Sequence, residues 1–147
     1  KDGIISVDDI TEAIKPETCL ISLMLANNEI GTLQPVEEIV SIAKEKDVLV
    51  HTDAVQCLGK IKVDVSSLGV DFLSLSAHKF YGPKGIGILY VKKPENFSSL
   101  IIGGGQEKNL RAGTENISAI AGMGLAAETI TNSLDKKTSS LIKLFRL

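Results

Sequence analysis

Four short apolar runs alternate with amphipathic stretches, and this alternation constrains the fold more than any other feature of the chain. The runs span 19–25, 48–52, 72–76 and 87–91. Cys19-Leu20-Ile21-Ser22-Leu23-Met24-Leu25 is almost continuously apolar, as a buried strand is. Ser6 is a fit N-cap for a short helix with Ile10, Ala13 and Ile14 on one face, and Pro16 ends it. Pro35 stands where a helix accepts its first residue, and Val36, Ile39, Val40 and Ala43 then recur at helical spacing as far as Lys46. Asp64 opens a short turn or helix over 63–68. Glu115-Asn116 cap a long helix running from Ile117 into the 130s. Leu134, Leu141, Leu144 and Phe145 continue a helical pattern through a tail of 133–147. The prediction is an α/β fold: a mostly parallel sheet with flanking helices and right-handed crossovers. The run at 87–91 is expected to return antiparallel after a glycine-rich turn.

Composition narrows the function classes. The formal net charge of −2 argues against a protein that binds nucleic acid by neutralising phosphates, and the absence of Trp leaves little for base stacking. No apolar run reaches the roughly 18 residues of a membrane span. The first residues do not read as a signal peptide, and no initiator Met is present, so a longer parent chain is expected. Two cysteines are too few for a disulfide framework and lack zinc-ligand spacing, so a reducing cytoplasm is the expected compartment. Both cysteines lie in apolar context and are expected to be inert core thiols.

In a parallel α/β sheet, sites form beyond the carboxyl ends of the strands. The first run leads to Ala26-Asn27-Asn28-Glu29-Ile30-Gly31 and the second to His51-Thr52-Asp53-Ala54-Val55-Gln56. The third leads to Ser76-Ala77-His78-Lys79-Phe80-Tyr81-Gly82-Pro83-Lys84-Gly85. If these strands are parallel, Asn28, Asp53, Gln56, Ser76, His78 and Lys79 meet on one rim. A desolvated lysine can form a Schiff base, and a carboxylate facing a pyridine nitrogen keeps that nitrogen protonated. Amides can bond a phenolate oxygen, and Ser and His can donate to a phosphate. These are the parts of a pyridoxal 5'-phosphate site.

Each residue alone has a plainer reading. A lysine after a strand is usually a solvated loop residue. Asp53 serves equally well as a turn cap, and His51 reads as a hydrogen-bonded core histidine. Gly82–Gly87 and Gly103–Gly105 read as structural turns. Gly113-Thr114-Glu115-Asn116 precedes a helix N-terminus and could offer amides and a hydroxyl to an anion beside Arg111, but plain capping accounts for it as well.

These strand-end motifs, followed by Gly103-Gly104-Gly105-Gln106-Glu107 and Arg111-Ala112-Gly113-Thr114, resemble the cysteine desulfurases of the NifS/IscS type. Those enzymes belong to the class V aminotransferase group of fold-type I pyridoxal phosphate enzymes. The resemblance runs from about Leu20 to Glu128 and rests on four motifs in order. It implies a partial pyridoxal phosphate-binding large domain over 1–132, with 133–147 as a truncated helical tail. It implies that Lys79 carries the cofactor, Asp53 pairs with the pyridinium nitrogen, and Asn28 and Gln56 contact the phenolic oxygen. Ser76 and His78 would hold the phosphate, and Thr114 would reach a phosphate in the partner subunit's site, which implies a homodimer. The implied substrate is L-cysteine, converted to L-alanine with sulfur left as an enzyme persulfide for a sulfur-acceptor or scaffold protein in iron–sulfur cluster or thio-cofactor synthesis. Selenocysteine lyases share nearly all these motifs and are the close alternative; a non-catalytic fragment retaining only the fold is the third. The family's sulfur-accepting cysteine lies downstream of the Arg-Ala-Gly-Thr motif and its substrate-carboxylate arginine is not found here. Neither Cys19 nor Cys57 matches that cysteine, so the 147 residues are expected to be inactive alone.

Overall fold

The computed structural model describes the backbone of residues 3–144 and the side chains of residues 3–134. Four strands form one sheet in the order β1 (Leu20–Met24), β2 (Leu49–Asp53), β3 (Phe72–Ser76), β4 (Gly87–Val91). The first three run parallel, with Ser22 opposite His51, Met24 opposite Asp53, and Asp53 opposite Ser74. The fourth is antiparallel to β3, as expected, and pairs Ser76 with Gly87. The backbones approach closely there: a Cβ on Gly87 would sit 2.7 Å from the Leu75 carbonyl oxygen.

Period-2 alternation divides the sheet into two faces. Val50, Thr52 and Leu73 are buried on one face. Helix α2 (Val36–Glu45) covers it by turning Val36, Ile39, Val40 and Ala43 inward. Glu37 and Glu38 in the first turn and Lys44 in the last suit its macrodipole. Pro35 falls one residue short of the helix: at φ −78° and ψ 60° it makes an inverse γ-turn in which Val36 N–H donates to the Gln34 carbonyl at 2.8 Å. The opposite face carries Leu20, Ser22, Leu49, His51 and Ser74, and both leucines are more than two-fifths exposed. The expected buried strand is therefore only half covered: Leu20 and Ser22 are exposed on this face, and Ile21 and Leu23 are half-buried on the other.

Two short helices are set by their caps. Ser6 accepts from Asp9 N–H at the start of α1 (Val7–Ala13), and Asp64 accepts from Ser66 and Ser67 N–H at the start of α3 (Val65–Leu68). α3 ends on Gly69 at φ +70°, a conformation that favours glycine. The long helix α4 spans Ile117–Leu144, with Asn116 Oδ1 accepting from Ala119 N–H. It continues through the expected helical tail, of which Phe145 to Leu147 lie outside the described residues. Among the described residues, three 3₁₀ turns, at Ala77–Phe80, Pro94–Asn96 and Gln106–Asn109, complete the elements. No helix among the described residues is long and apolar enough to cross a membrane.

A second small core ties α4 to the end of β3. Ala77, Phe80 and Ile130 are buried against one another, with Met123, Ala126 and Ala127 beside them. One of the two expected core thiols is not in a core. Cys57 is buried, but Cys19 is exposed, as it stands before the edge strand β1 at its amino end.

Candidate functional site

The carboxyl ends of β1, β2 and β3 lie on one edge of the sheet, so the segments bearing the six strand-end candidates leave it together. Asp53 is the last residue of β2 and half-buried. Its Oδ1 accepts from Val55 N–H at 2.9 Å, so it does cap the following turn, while Oδ2 has no hydrogen bond among the described residues. The turn-cap and binding readings of Asp53 are thus compatible: one oxygen orients the carboxylate and the other remains available.

Beyond β3 the chain closes at once into the turn Ala77–Phe80. Ala77 and Phe80 point inward and are fully buried, which leaves His78 and Lys79 on the exposed side. Tyr81 at φ +68° and the Gly82 N–H bond to the Ala77 carbonyl at 2.9 Å seal the turn. Ser76 Oγ and His78 Nδ1 are 2.9 Å apart, so the hydroxyl and imidazole form a preset polar pair. Phe80, the next residue, anchors the turn that carries Lys79 by burying itself against Ile130.

Asn28 and Gln56 line one cleft of about 420 Å³ between the loops after β1 and β2, together with Cys57, Lys60 and Ile61. Asp53, Ser76, His78, Lys79 and Thr114 are not among its lining residues. Asn27, not Asn28, shapes the first loop: its Oδ1 accepts from Glu29 and Ile30 N–H at 2.8 and 3.0 Å. Asn28 is left exposed. Lys60 Nζ donates to both the carbonyl and the Oε1 of Gln56, at 2.8 and 3.2 Å. With its Oε1 accepting from Lys60, Gln56 keeps an amide N–H₂ that has no hydrogen bond among the described residues, the end suited to a phenolate oxygen. Neither Asn27 nor Lys60 was singled out from sequence; the four-residue spacing from Gln56 to Lys60 in a turn was the available signal.

Burial raises the Cys57 thiol from 9.0 to about 11, with Lys60 opposing the shift and Asp53 adding to it. It therefore stays protonated at neutral pH and is a poor nucleophile. Cys19 precedes β1 and so lies at the opposite edge of the sheet from the strand-end residues.

Thr114 is exposed in the loop before α4. The anion-binding alternative there is partly pre-empted: Gly113 N–H donates to Gln106 Oε1 at 3.1 Å, and the Arg111 guanidinium donates to the Ala112 carbonyl. The donor set at the strand ends fits pyridoxal phosphate chemically: a carboxylate with a free oxygen, an amide donor, a hydroxyl–imidazole pair and an exposed amine.

Comparison with known proteins identifies the family. The family model for aminotransferase class-V matches residues 1–143. A cysteine desulfurase IscS of Dictyoglomus turgidum is 53% identical over 144 residues, covering 98% of this chain and 36% of that protein. A selenocysteine lyase of Xenopus tropicalis is 51% identical over 141 residues, covering 87% of this chain and 32% of that protein. A solved structure described as a NifS-like protein superposes with a TM-score of 0.88 at 45% identity, covering 92% of this chain and 38% of that one. The chain thus spans about a third of the length of the curated relatives it matches. It belongs to the aminotransferase class-V family, where its matches include cysteine desulfurases of the IscS type.

Proposed function

We propose that this chain forms the pyridoxal phosphate-binding core of a cysteine desulfurase. The observation that carries the reading is the common edge from which the segments after three parallel strands depart with Asn28, Asp53, Gln56, Ser76, His78 and Lys79. When bound, the cofactor supplies an electron sink for negative charge at the substrate's α-carbon. Asp53, through its free oxygen, holds the proton on the pyridine nitrogen. Gln56 and Asn28 donate to the phenolic oxygen. Ser76 and His78 hold the phosphate, and Thr114 reaches the phosphate of a second subunit in a homodimer. Lys79 would hold the cofactor through its amine, and when free that amine would carry the α-proton of L-cysteine.

The sulfur acceptor in this reading is neither of the chain's cysteines. Cys57 is buried and protonated, and Cys19 is a full strand, about 16 Å at 3.3 Å per residue, from the rim. Release of L-alanine and delivery of sulfur to an acceptor or scaffold protein, for iron–sulfur cluster or thio-cofactor synthesis in the cytoplasm, complete the proposal for the longer protein of this family.

The test is borohydride reduction of the chain with pyridoxal phosphate, followed by peptide mapping. A single pyridoxyl group on Lys79, absent in Lys79→Ala, supports the site. No adduct, or label scattered over surface lysines, rejects it. In a protein extended to the length of the relatives, alanine released from cysteine compared with selenocysteine separates desulfurase from selenocysteine lyase.

A further inference from the structure

We infer that His51 is a positioning residue that holds the three site-bearing strands in register through a hydroxyl–imidazole–hydroxyl clasp. This inference rests on the proposed cofactor site for its functional consequence, but not for its geometry. His51 lies in the middle strand of the parallel trio, half-buried on the face away from α2. Its Nδ1 is 2.8 Å from Ser22 Oγ on β1, and its Nε2 is 2.8 Å from Ser74 Oγ on β3. One ring therefore touches all three strands. A serine hydroxyl both donates and accepts, so either imidazole tautomer closes both contacts.

The clasp sits one step back from the rim. Asp53 follows His51 by two residues on the same face, and Ser74 is the register partner of Asp53. Ser76 in turn follows Ser74 by two. Past the strands' own ladder, the strand ends are joined by Leu25 N–H donating to the Asp53 carbonyl at 2.9 Å and Ala54 N–H donating to the Ser74 carbonyl at 3.1 Å. A parallel ladder this short is weakly anchored at its end. The ring fixes the lateral spacing of Asp53 and Ser76, and with it the distance between the groups proposed to hold the two ends of the cofactor.

The experiment compares the 147-residue chain with His51→Leu, the double variant Ser22→Ala/Ser74→Ala, and His51→Gln, whose amide keeps one donor and one acceptor. Amide hydrogen exchange is read at Leu25 and Ala54 and across α2. Pyridoxal phosphate affinity is read from borohydride-trapped label at Lys79 over a concentration series, well below each melting temperature. His51→Leu and the double variant are expected to speed exchange at Leu25 and Ala54 and to weaken cofactor affinity, each by about tenfold, the scale of one or two lost hydrogen bonds. Exchange in α2 stays unchanged, and His51→Gln recovers most of both effects. Unchanged exchange at Leu25 and Ala54, equal acceleration in α2, or faster exchange with undiminished labelling would each overturn the clasp as a positioning device. If the unsubstituted chain takes no label at Lys79, the cofactor reading fails, and the exchange arm alone decides whether His51 holds the strand ends.

Discussion

Truncating Phe80 tests both the packing of α4 and the placement of Lys79. Phe80 is 1% exposed and shares its core with Ala77 at 0% and Ile130 at 1%. A buried aromatic removes about 150–250 Å² from water, worth roughly 4–6 kcal/mol at about 25 cal/mol per Å². Alanine keeps only its own Cβ contribution, and measured Phe→Ala costs in cores run about 3–5 kcal/mol. About 4 kcal/mol is therefore expected for Phe80→Ala, against a total stability on the order of 5–15 kcal/mol. With a urea m-value of about 2 kcal/mol/M, the unfolding midpoint should fall by about 2 M. The assay is urea denaturation followed by far-UV circular dichroism, with pyridoxyl labelling of Lys79 measured below the midpoint. Phe80→Leu, which keeps most of the volume, should cost under about 1.5 kcal/mol and keep the label. Ile130→Val, on the α4 side of the same core, should cost about 0.5–1.5 kcal/mol. Its effect should also be non-additive with Phe80→Ala, because the two side chains share one cavity. A Phe80→Ala cost below about 1 kcal/mol would refute the reasoning: the turn bearing Lys79 would then owe its position to something other than this contact.

Two further outcomes follow from local chemistry. Burial raises the Cys57 thiol above its unfolded value of 9.0, to about 11, so its stabilising share is complete below pH 9 and is lost as pH rises toward 11. Urea midpoints measured from pH 8 to 11 should therefore fall less steeply in Cys57→Ala than in the unsubstituted chain, and iodoacetamide at pH 8 should label exposed Cys19 well before Cys57; equal slopes or equal labelling would contradict the burial argument. Gly82→Ala places a Cβ 2.9 Å from the Ala77 Cβ and 3.0 Å from its carbonyl oxygen. That overpacking should cost about 1–3 kcal/mol and reduce Lys79 labelling, read by thermal melt and peptide mapping.

Much of the local structure was readable from residue order because its causes are local. A cap acts within three residues, as Ser6 and Asp64 do, and the apolar spacing of Val36, Ile39, Val40 and Ala43 can suit only a helix lying on something apolar. The third and fourth strands came out at their expected bounds, bracketed by Asp71 and the glycine-rich turn. The 3₁₀ turn at Ala77–Phe80 was not foreseen, since a single turn has no periodicity to read. Its consequence, two buried residues flanking His78 and Lys79, depends on Ile130 arriving from 50 residues away.

The order of apolar runs and the residues closing each one were properties of the sequence, because strand alternation and turn chemistry are written in near neighbours. Which side chains meet across strands belonged to the tertiary structure. Ser22, His51 and Ser74 join only when β1, β2 and β3 settle into one register, and a one-residue slip would send any of them to the other face. The different fates of Cys19 and Cys57 have the same origin. Burial is a property of what packs against a residue, and only the folded chain places β1 at an edge and the turn after β2 beneath a core.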